Sequence, residues 1–498
     1  MSYLSATFQT KLMKSIFLPL TVLLLLTTCQ RSTPDTGPDH AAAIQQLEQN
    51  LRPAIRIEGE ELAPATIHER MAHHKVPGLS IAFFDDGAIQ WTRSYGYLSS
   101  DSLTAVDENT LFQAASISKP VAASGLLMLV EEGKLPLDSN INDYLKAWQV
   151  PDNRFTQKEQ VSLRRLLSHT AGLTVHGFRG YAEGEAVPTT LQVLEGAAPA
   201  NSAPIQPDTM PGSLWRYSGG GYTVAQLAVE DITGKPFPVF MQQRVLGPAG
   251  MHNSAYAQPL PAERHPQAAV GHRGDGNPIA GRWHTYPELA AAGLWTTPTD
   301  LSRWAIALQQ GYNGDDSQFL TPGIARQVLS EQQGNWGLGP ALSGAADSLA
   351  FSHGGGNEGY RCMLFSFAEK GGQGVVAMTN SDRGINVIDE ILISLSKQYG
   401  WGRFEPTYKS TIPMTAAEKE QYTGLFRADE QLQIRIDRRG EELHARMLWN
   451  DQPGLLYPDS TDRFFDIYDG STIQFYRQAD SVIGGFDVLG YRFEKVGE

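Results

Sequence analysis

Strand-like stretches stand at both ends of the longer, N-terminal part of this chain, with helical patterns between them, and few folds accommodate that order. Residues 79–84 and 88–97 read as two strands joined by Asp85-Asp86-Gly87, a hairpin turn. Residues 121–133 carry Leu126, Leu127, Leu129 and Val130 at helical spacing and stop at Gly133. Helical patterns recur at 163–168, 222–233 and 300–310. Strand patterns return at 360–367 and 374–380, and a helix at 387–399 closes the unit. A sheet that gathers both ends, with helices packed on it, makes 61–405 an α+β domain.

The pattern changes after Pro413. A short helical stretch at 416–422 leads into alternating runs at 432–436, 443–448, 463–468, 473–476 and 491–493, punctuated by Asp469-Gly470 and Gly484-Gly485. Residues 412–498 therefore read as a small all-β domain. The chain has 498 residues, more than one domain's worth, and 41% of them are apolar, enough for packed cores.

The other end is a targeting segment. Lys11 and Lys14 precede an apolar run over 16–26, too short to span a bilayer and suited to a signal peptide. The run ends in Leu26-Thr27-Thr28-Cys29, which resembles a bacterial lipobox with Thr28 in place of its usual smaller residue. Residues 1–29 are expected to be removed or lipidated at Cys29, and 30–60, with Pro34, Gly37 and Pro38, to form a polar tether. The implied product is exported: a periplasmic or outer-membrane-associated lipoprotein. An ordinary secretory signal with a chance cysteine is the alternative.

Composition excludes several functions. Lys+Arg 40 against Asp+Glu 54 gives a net charge of −14, and no dense basic run is present, so nucleic acid is not an expected partner. Cys29 and Cys362 are the two cysteines, too few for a disulfide framework or a cysteine metal site. His68 and His73 are one residue too far apart for the i, i+4 pairing of a zinc helix, so no metal is expected and the segment reads as a surface helix. Gly354 to Gly359 matches G-x-G-x-x-G, but a strand follows it rather than a helix, so no nucleotide cofactor is expected. No G-x-S-x-G elbow is present.

The chemistry lies in Ser116-Ile117-Ser118-Lys119. A serine hydroxyl needs a base, and residues three apart share a helical face, so Lys119 can reach Ser116. At a helix start the Ser116 N–H is free for an oxyanion and the dipole favours a neutral Lys119. Tyr217 follows in Trp215-Arg216-Tyr217-Ser218-Gly219, and His353 in Ser352-His353-Gly354-Gly355-Gly356-Asn357.

These three segments, in this order, resemble the S-x-x-K, Y-x-N and K-T-G or H-x-G elements of the serine β-lactamase and penicillin-binding superfamily. The resemblance is strongest to the branch of class C β-lactamases, D-aminopeptidases and carboxylesterases. It extends to Leu166-Leu167-Ser168-His169-Thr170-Ala171-Gly172 and Ala292-Gly293-Leu294-Trp295. It implies an antiparallel sheet with flanking helices, an all-helical subdomain, and a barrel-like module at the C-terminus. It also implies a cofactor-free acyl-enzyme hydrolase acting on a small molecule or short peptide. Ser116 is then the nucleophile, Lys119 and Tyr217 share the roles of base and acid, His353 replaces the family lysine, and the N–H of Gly356 joins that of Ser116 in the oxyanion hole. Gly354 and Gly355 are expected to keep the strand edge flat for substrate.

Two departures shift the expected substrate. Gly219 stands where Y-x-N has asparagine, and His353, with an ordinary pKa near 6.5, replaces a permanent cation. Both weaken carboxylate and β-lactam recognition and leave ester or small-amide hydrolysis favoured. A protonated His353 is expected to draw in a substrate carboxylate, giving activity that falls as the imidazole deprotonates. His169 reads as scaffold, Arg361 as a candidate carboxylate partner or a solvated cation, and Trp295 and Tyr222 as cleft lining or core. A slowly acylating binding or sensing lipoprotein of the same fold is the competing functional reading.

Overall fold

The computed structural model describes residues 40–498 except 316–319, 370, 431, 450, 480, 489 and 498, and leaves out the side chains of 347 and 497. Cys29, the signal segment and the first part of the tether lie outside the described residues.

Six strands form the main sheet: β1 Gly78–Asp85, β2 Ala88–Gly96, β3 Ala341–Ser343, β4 Ala350–Asn357, β5 Tyr360–Phe367 and β6 Gly374–Thr379. Their spatial order is β2-β1-β6-β5-β4-β3, and every pairing is antiparallel. The two ends of the domain meet where β1 pairs with β6, Ile81 opposite Ala377. Asp86 and Gly87 both hold positive φ, 48° and 69°, so the β1–β2 turn is the two-residue type whose twist matches the strands it joins.

Each face of the sheet has its own core. Helices Ile67–His73 and Gly384–Tyr399 cover one face, burying Met71, Ile81, Phe83, Ile388 and Ile391. The helical subdomain packs on the other face through Ser118–Glu131, Gly219–Thr233 and Pro298–Tyr312. Ser118–Glu131 is buried from Ser118 through Leu129, enclosed on all sides and carrying three buried polar residues, Ser118, Lys119 and Ser124. Gly219–Thr233 starts where the Ser218 hydroxyl accepts the N–H of Gly221 and stops at left-handed Gly234.

The C-terminal domain is a closed barrel of eight strands, each paired with its sequence neighbours and sealed by Gly424–Arg427 against Tyr491–Gly497. Closure leaves no free edge, and Phe426, Phe464, Phe475, Phe486 and Phe493 fill the interior. Strands Gly424–Arg427, Gln452–Ser460 and Ile483–Val488 are additional to those expected. Gly484 and Gly485 lie inside the last of these instead of marking a turn. A Cβ at Gly485 would sit 2.1 Å from the Phe493 carbonyl oxygen, so crowding demands the glycine.

The barrel rests on the α+β body away from the sequence motifs. Asn386 Nδ2 donates to the Tyr468 carbonyl at 2.6 Å, and the Arg383 guanidinium lies 4.3 Å over the Tyr468 ring. Ile55 and Ile57 pack with Phe465. None of these contacts involves Ser116, Lys119, Tyr217 or His353. His68 to His73 is not a fully exposed helix: Ile67 and Met71 anchor it, and the His73 and His74 rings face Tyr468.

Candidate active site

Ser116 sits in a single 3₁₀ turn, Ala115–Ile117, that runs directly into helix Ser118–Glu131. Ala115 takes φ 49°, a left-handed conformation that costs a residue with a Cβ on the order of 1–2 kcal/mol. Neighbouring bonds hold the turn. The Ala114 N–H donates to the Leu294 carbonyl at 2.8 Å, the Leu294 N–H donates to Ser118 Oγ at 3.0 Å, and Tyr256 Oη donates to the Ser118 carbonyl at 2.6 Å.

Helical spacing brings Lys119 Nζ to 3.1 Å from Ser116 Oγ, as expected. Nζ also donates to the Ala291 carbonyl at 2.7 Å, and lies 4.9 Å and 5.9 Å over the rings of Tyr217 and Tyr222. The side chain is 2% exposed. Burial pushes its pKa down to about 7, so removal from water, more than the helix dipole, makes it a base near neutrality.

Tyr217 precedes the N-cap of Gly219–Thr233, and two histidines clamp its backbone. His176 Nδ1 donates to the Tyr217 carbonyl at 2.5 Å, and the Ser218 N–H donates to His169 Nδ1 at 3.1 Å. The His169 ring lies 4.1 Å from the Tyr217 ring. His169 therefore braces Tyr217 at the edge of the site, a structural role. Burial drives the Tyr217 hydroxyl pKa well up, against a smaller lowering from the Ser116 hydroxyl, so Tyr217 stays protonated at neutral pH. Its Oη makes no hydrogen bond of good geometry.

His353 lies on β4, a strand expected at Gly354-Gly355 from the family resemblance. From Ala350 to Ser352 the strand pairs on both sides, but from His353 to Asn357 it pairs with β5 alone, leaving an open edge. His353 Nδ1 donates to the Gly354 carbonyl at 2.6 Å, so Nε2 carries a lone pair. Nε2 is buried and has no partner. Burial, with Lys119 adding to it, pushes the imidazole pKa down to about 3. This corrects the expectation of a protonatable histidine near pH 6.5: the ring is neutral over the working range and offers an acceptor in place of a cation.

The three glycines differ in role. Gly355 is buried, and a Cβ there would meet the Ala114 carbonyl oxygen and Cys362 Sγ, each at 2.3 Å. Gly354 and Gly356 are exposed, with nothing closer than 3.7 Å and 3.5 Å to an added Cβ. Asn357 ties the strand end to the nucleophile segment, donating to Gln113 Oε1 at 2.7 Å and to the Ala292 carbonyl at 3.2 Å. Gly219 is closed off: a Cβ would lie 2.9 Å from the Phe178 ring, so Phe178 occupies the space an asparagine stem would need.

Trp336 was not singled out in the sequence. Its ring lies 5.3 Å from His169, 5.9 Å from Tyr217 and 5.5 Å from His353, making one aromatic wall. A lone tryptophan in a loop carries no periodicity that could have revealed it. Arg361 forms an ion pair with Asp382 at 3.0 Å and donates to the Asn357 carbonyl at 2.8 Å, so it braces the hairpin. Trp295 and Tyr222 have no exposed surface and belong to the core. Among the described residues no cluster of histidine, cysteine or acidic groups could hold a metal ion.

A family model described as Beta-lactamase matches residues 63–395. Penicillin-binding protein 4 of Amycolatopsis lactamdurans is 27% identical over 333 residues, covering 64% of this chain and 83% of that protein. Esterase EstB of Burkholderia gladioli is 27% identical over 224 residues, covering 43% and 55%. The octameric penicillin-binding protein homologue from Pyrococcus abyssi superposes with a TM-score of 0.59 at 20% identity over 86% of this chain and 98% of that one, a likeness of fold. The family model spans most of the chain and its fold is the one found here, so this protein belongs to the β-lactamase family, as a serine hydrolase.

Proposed function

We propose that the protein hydrolyses uncharged esters or small amides through an acyl-enzyme on Ser116. The observation that carries this reading is the buried Lys119, its pKa pushed down to about 7, at 3.1 Å from Ser116 Oγ. As Oγ attacks the substrate carbonyl carbon, its proton passes to the Lys119 lone pair. The N–H groups of Ser116 and Gly356 receive the oxyanion. Tyr217, held protonated, passes a proton to the departing oxygen or nitrogen and regains one from Lys119. Water then attacks the ester on Ser116 with the same groups in reverse.

Substrate choice follows from what surrounds Tyr217. The leaving group must lie beside its proton donor, and there His353 presents a lone pair where a carboxylate would need a cation. Phe178 fills the space beside Gly219. Both favour neutral substrates over β-lactams and D-Ala-D-Ala peptides, and the similarity to an esterase points the same way.

A fluorophosphonate probe should label the wild type at Ser116 and fail to label Ser116→Ala. A folded wild type that stays unlabelled overturns the proposal. The packed Gly219 position also fits a protein that acylates and then stalls. With p-nitrophenyl butyrate, a single burst without turnover would favour that sensing role.

Export belongs to the same proposal. Cys29, outside the described residues, is read as the lipidated mature N-terminus. Among the described residues no helix is long and apolar enough to cross a membrane. Detergent partition of the wild type, lost in Cys29→Ala, tests the anchor. A soluble wild type starting beyond Cys29 would rule it out.

A further inference from the structure

A cleft of about 600 Å³ lies on the N-terminal side of the molecule, between helix His40–Gln49, the end of helix Gly384–Tyr399 and strand Thr407–Lys409. Arg52, Arg56 and Lys397 line it, with Gln46, Asn50 and Tyr408. Among the described residues no carboxylate pairs with any of the three cations. Arg52 Nε donates to the Leu62 carbonyl at 3.3 Å, and Arg56 Nε to the Pro53 carbonyl at 2.9 Å. Backbone oxygens thus orient both guanidinium groups without neutralising them. Of the acidic groups at the rim, Glu390 is committed to Arg70 at 2.6 Å and His74 at 3.0 Å, and Glu405 is exposed.

Three unneutralised cations around one cleft are out of keeping with a chain of net charge −14. Guanidinium forks match phosphate oxygens in geometry as well as charge. The exposed Tyr408, 5.9 Å from the Arg56 guanidinium, adds the amphipathic ring that settles at a membrane interface. Cys29 precedes His40 by eleven positions (40 − 29), so a lipid at Cys29 would hold the start of the helix leading to this cleft within about 40 Å of the bilayer.

We propose that Arg52, Arg56 and Lys397 form a binding site for the phosphodiester headgroup of an anionic phospholipid, and that it orients the hydrolase against the membrane. The cleft shares no lining residue with the Ser116 site, and the proposal does not depend on the acyl-enzyme reading.

The test uses the mature chain from residue 30, which carries neither the apolar signal run nor an acyl anchor. This protein should sediment with vesicles of equal parts phosphatidylglycerol and phosphatidylcholine, less so as salt rises, and should not sediment with phosphatidylcholine alone. Arg52→Gln, Arg56→Gln and Lys397→Gln together should weaken binding by roughly ten- to a hundredfold, with thermal melting and ester turnover unchanged. Equal binding by the triple variant, or equal binding to neutral vesicles, overturns the proposal. So does displacement by inorganic phosphate at an ionic strength where chloride has no effect, since the cleft would then take free phosphate.

Discussion

A Cβ atom at Gly355 would lie 2.3 Å from the carbonyl oxygen of Ala114. Strand β4 and the turn that carries Ser116 therefore meet backbone to backbone, and the spacing between nucleophile and strand edge depends on that missing methyl group.

Gly355→Ala should push β4 away from the nucleophile turn. Overpacking of this kind costs about 1–3 kcal/mol, so melting should fall by several degrees and fluorophosphonate labelling should slow at least tenfold. Gly354→Ala has open space around it and should melt like the wild type, changing KM alone. Equal melting points for the two variants would mean that the close approach does not support the site.

Lys119 sets the acid limb of activity. With its pKa pushed down to about 7 by burial, kcat/KM should rise roughly tenfold per pH unit up to about pH 7 and then level off. The sign for stability follows from the same shift. The unfolded chain binds the extra proton between about 7 and about 10.4, so stability should rise with pH across that window. Lys119→Met should lose both dependences, along with about 10²–10⁴-fold in kcat/KM. A pH–rate profile flat down to about pH 5 would mean that Lys119 does not change protonation state over that range.

His353→Asn should reduce kcat/KM by roughly five- to a hundredfold, the effect of one buried hydrogen-bonding partner. With the imidazole pKa pushed down to about 3, the ratio of wild type to variant should stay constant from about pH 5 to about pH 9, whether or not the substrate carries a carboxylate. A ratio that changes near pH 6.5 would mean that the imidazole is charged in the working enzyme.

Asp466 offers a test at the barrel. Its carboxylate accepts the N–H groups of Tyr468 at 2.9 Å and Leu455 at 3.3 Å, yet burial pushes its pKa up to about 7. The folded protein then holds the extra proton between about pH 4 and pH 7, and stability is lost as pH rises through that range. Asp466→Asn keeps an acceptor oxygen and removes the charge. It should melt a few degrees above the wild type at about pH 8 and alike near pH 4, as followed by calorimetry.

Local patterns carried most of the architecture. The 79–97 hairpin was legible because apolar runs flank an Asp-Gly turn, and the barrel because its strands alternate. Strand β4 was expected only through the family resemblance, since its central Gly354-Gly355-Gly356 has no side chains to show a period. Gly484-Gly485 misled for the same reason: glycine forced by the Phe493 carbonyl reads the same in sequence as glycine chosen for a turn. Phe178 against Gly219, and Trp336 against Tyr217, unite segments whose sequences say nothing of each other.

The pairing of Ser116 with Lys119 was determined by the sequence alone, because three residues on one helical turn are neighbours in any fold that keeps the turn. The protonation states of that pair's surroundings were decided only by the tertiary structure. Lys119 is a base because burial among segments far apart in sequence, that of Ala291 172 positions away among them, removes it from water. His353 is neutral because burial excludes its charge, and its Nε2 is an acceptor because Nδ1–H donates to the neighbouring Gly354 carbonyl. Spacing along a chain fixes which groups can meet, whereas desolvation sums over every atom packed around them, and those atoms come from segments far apart in sequence.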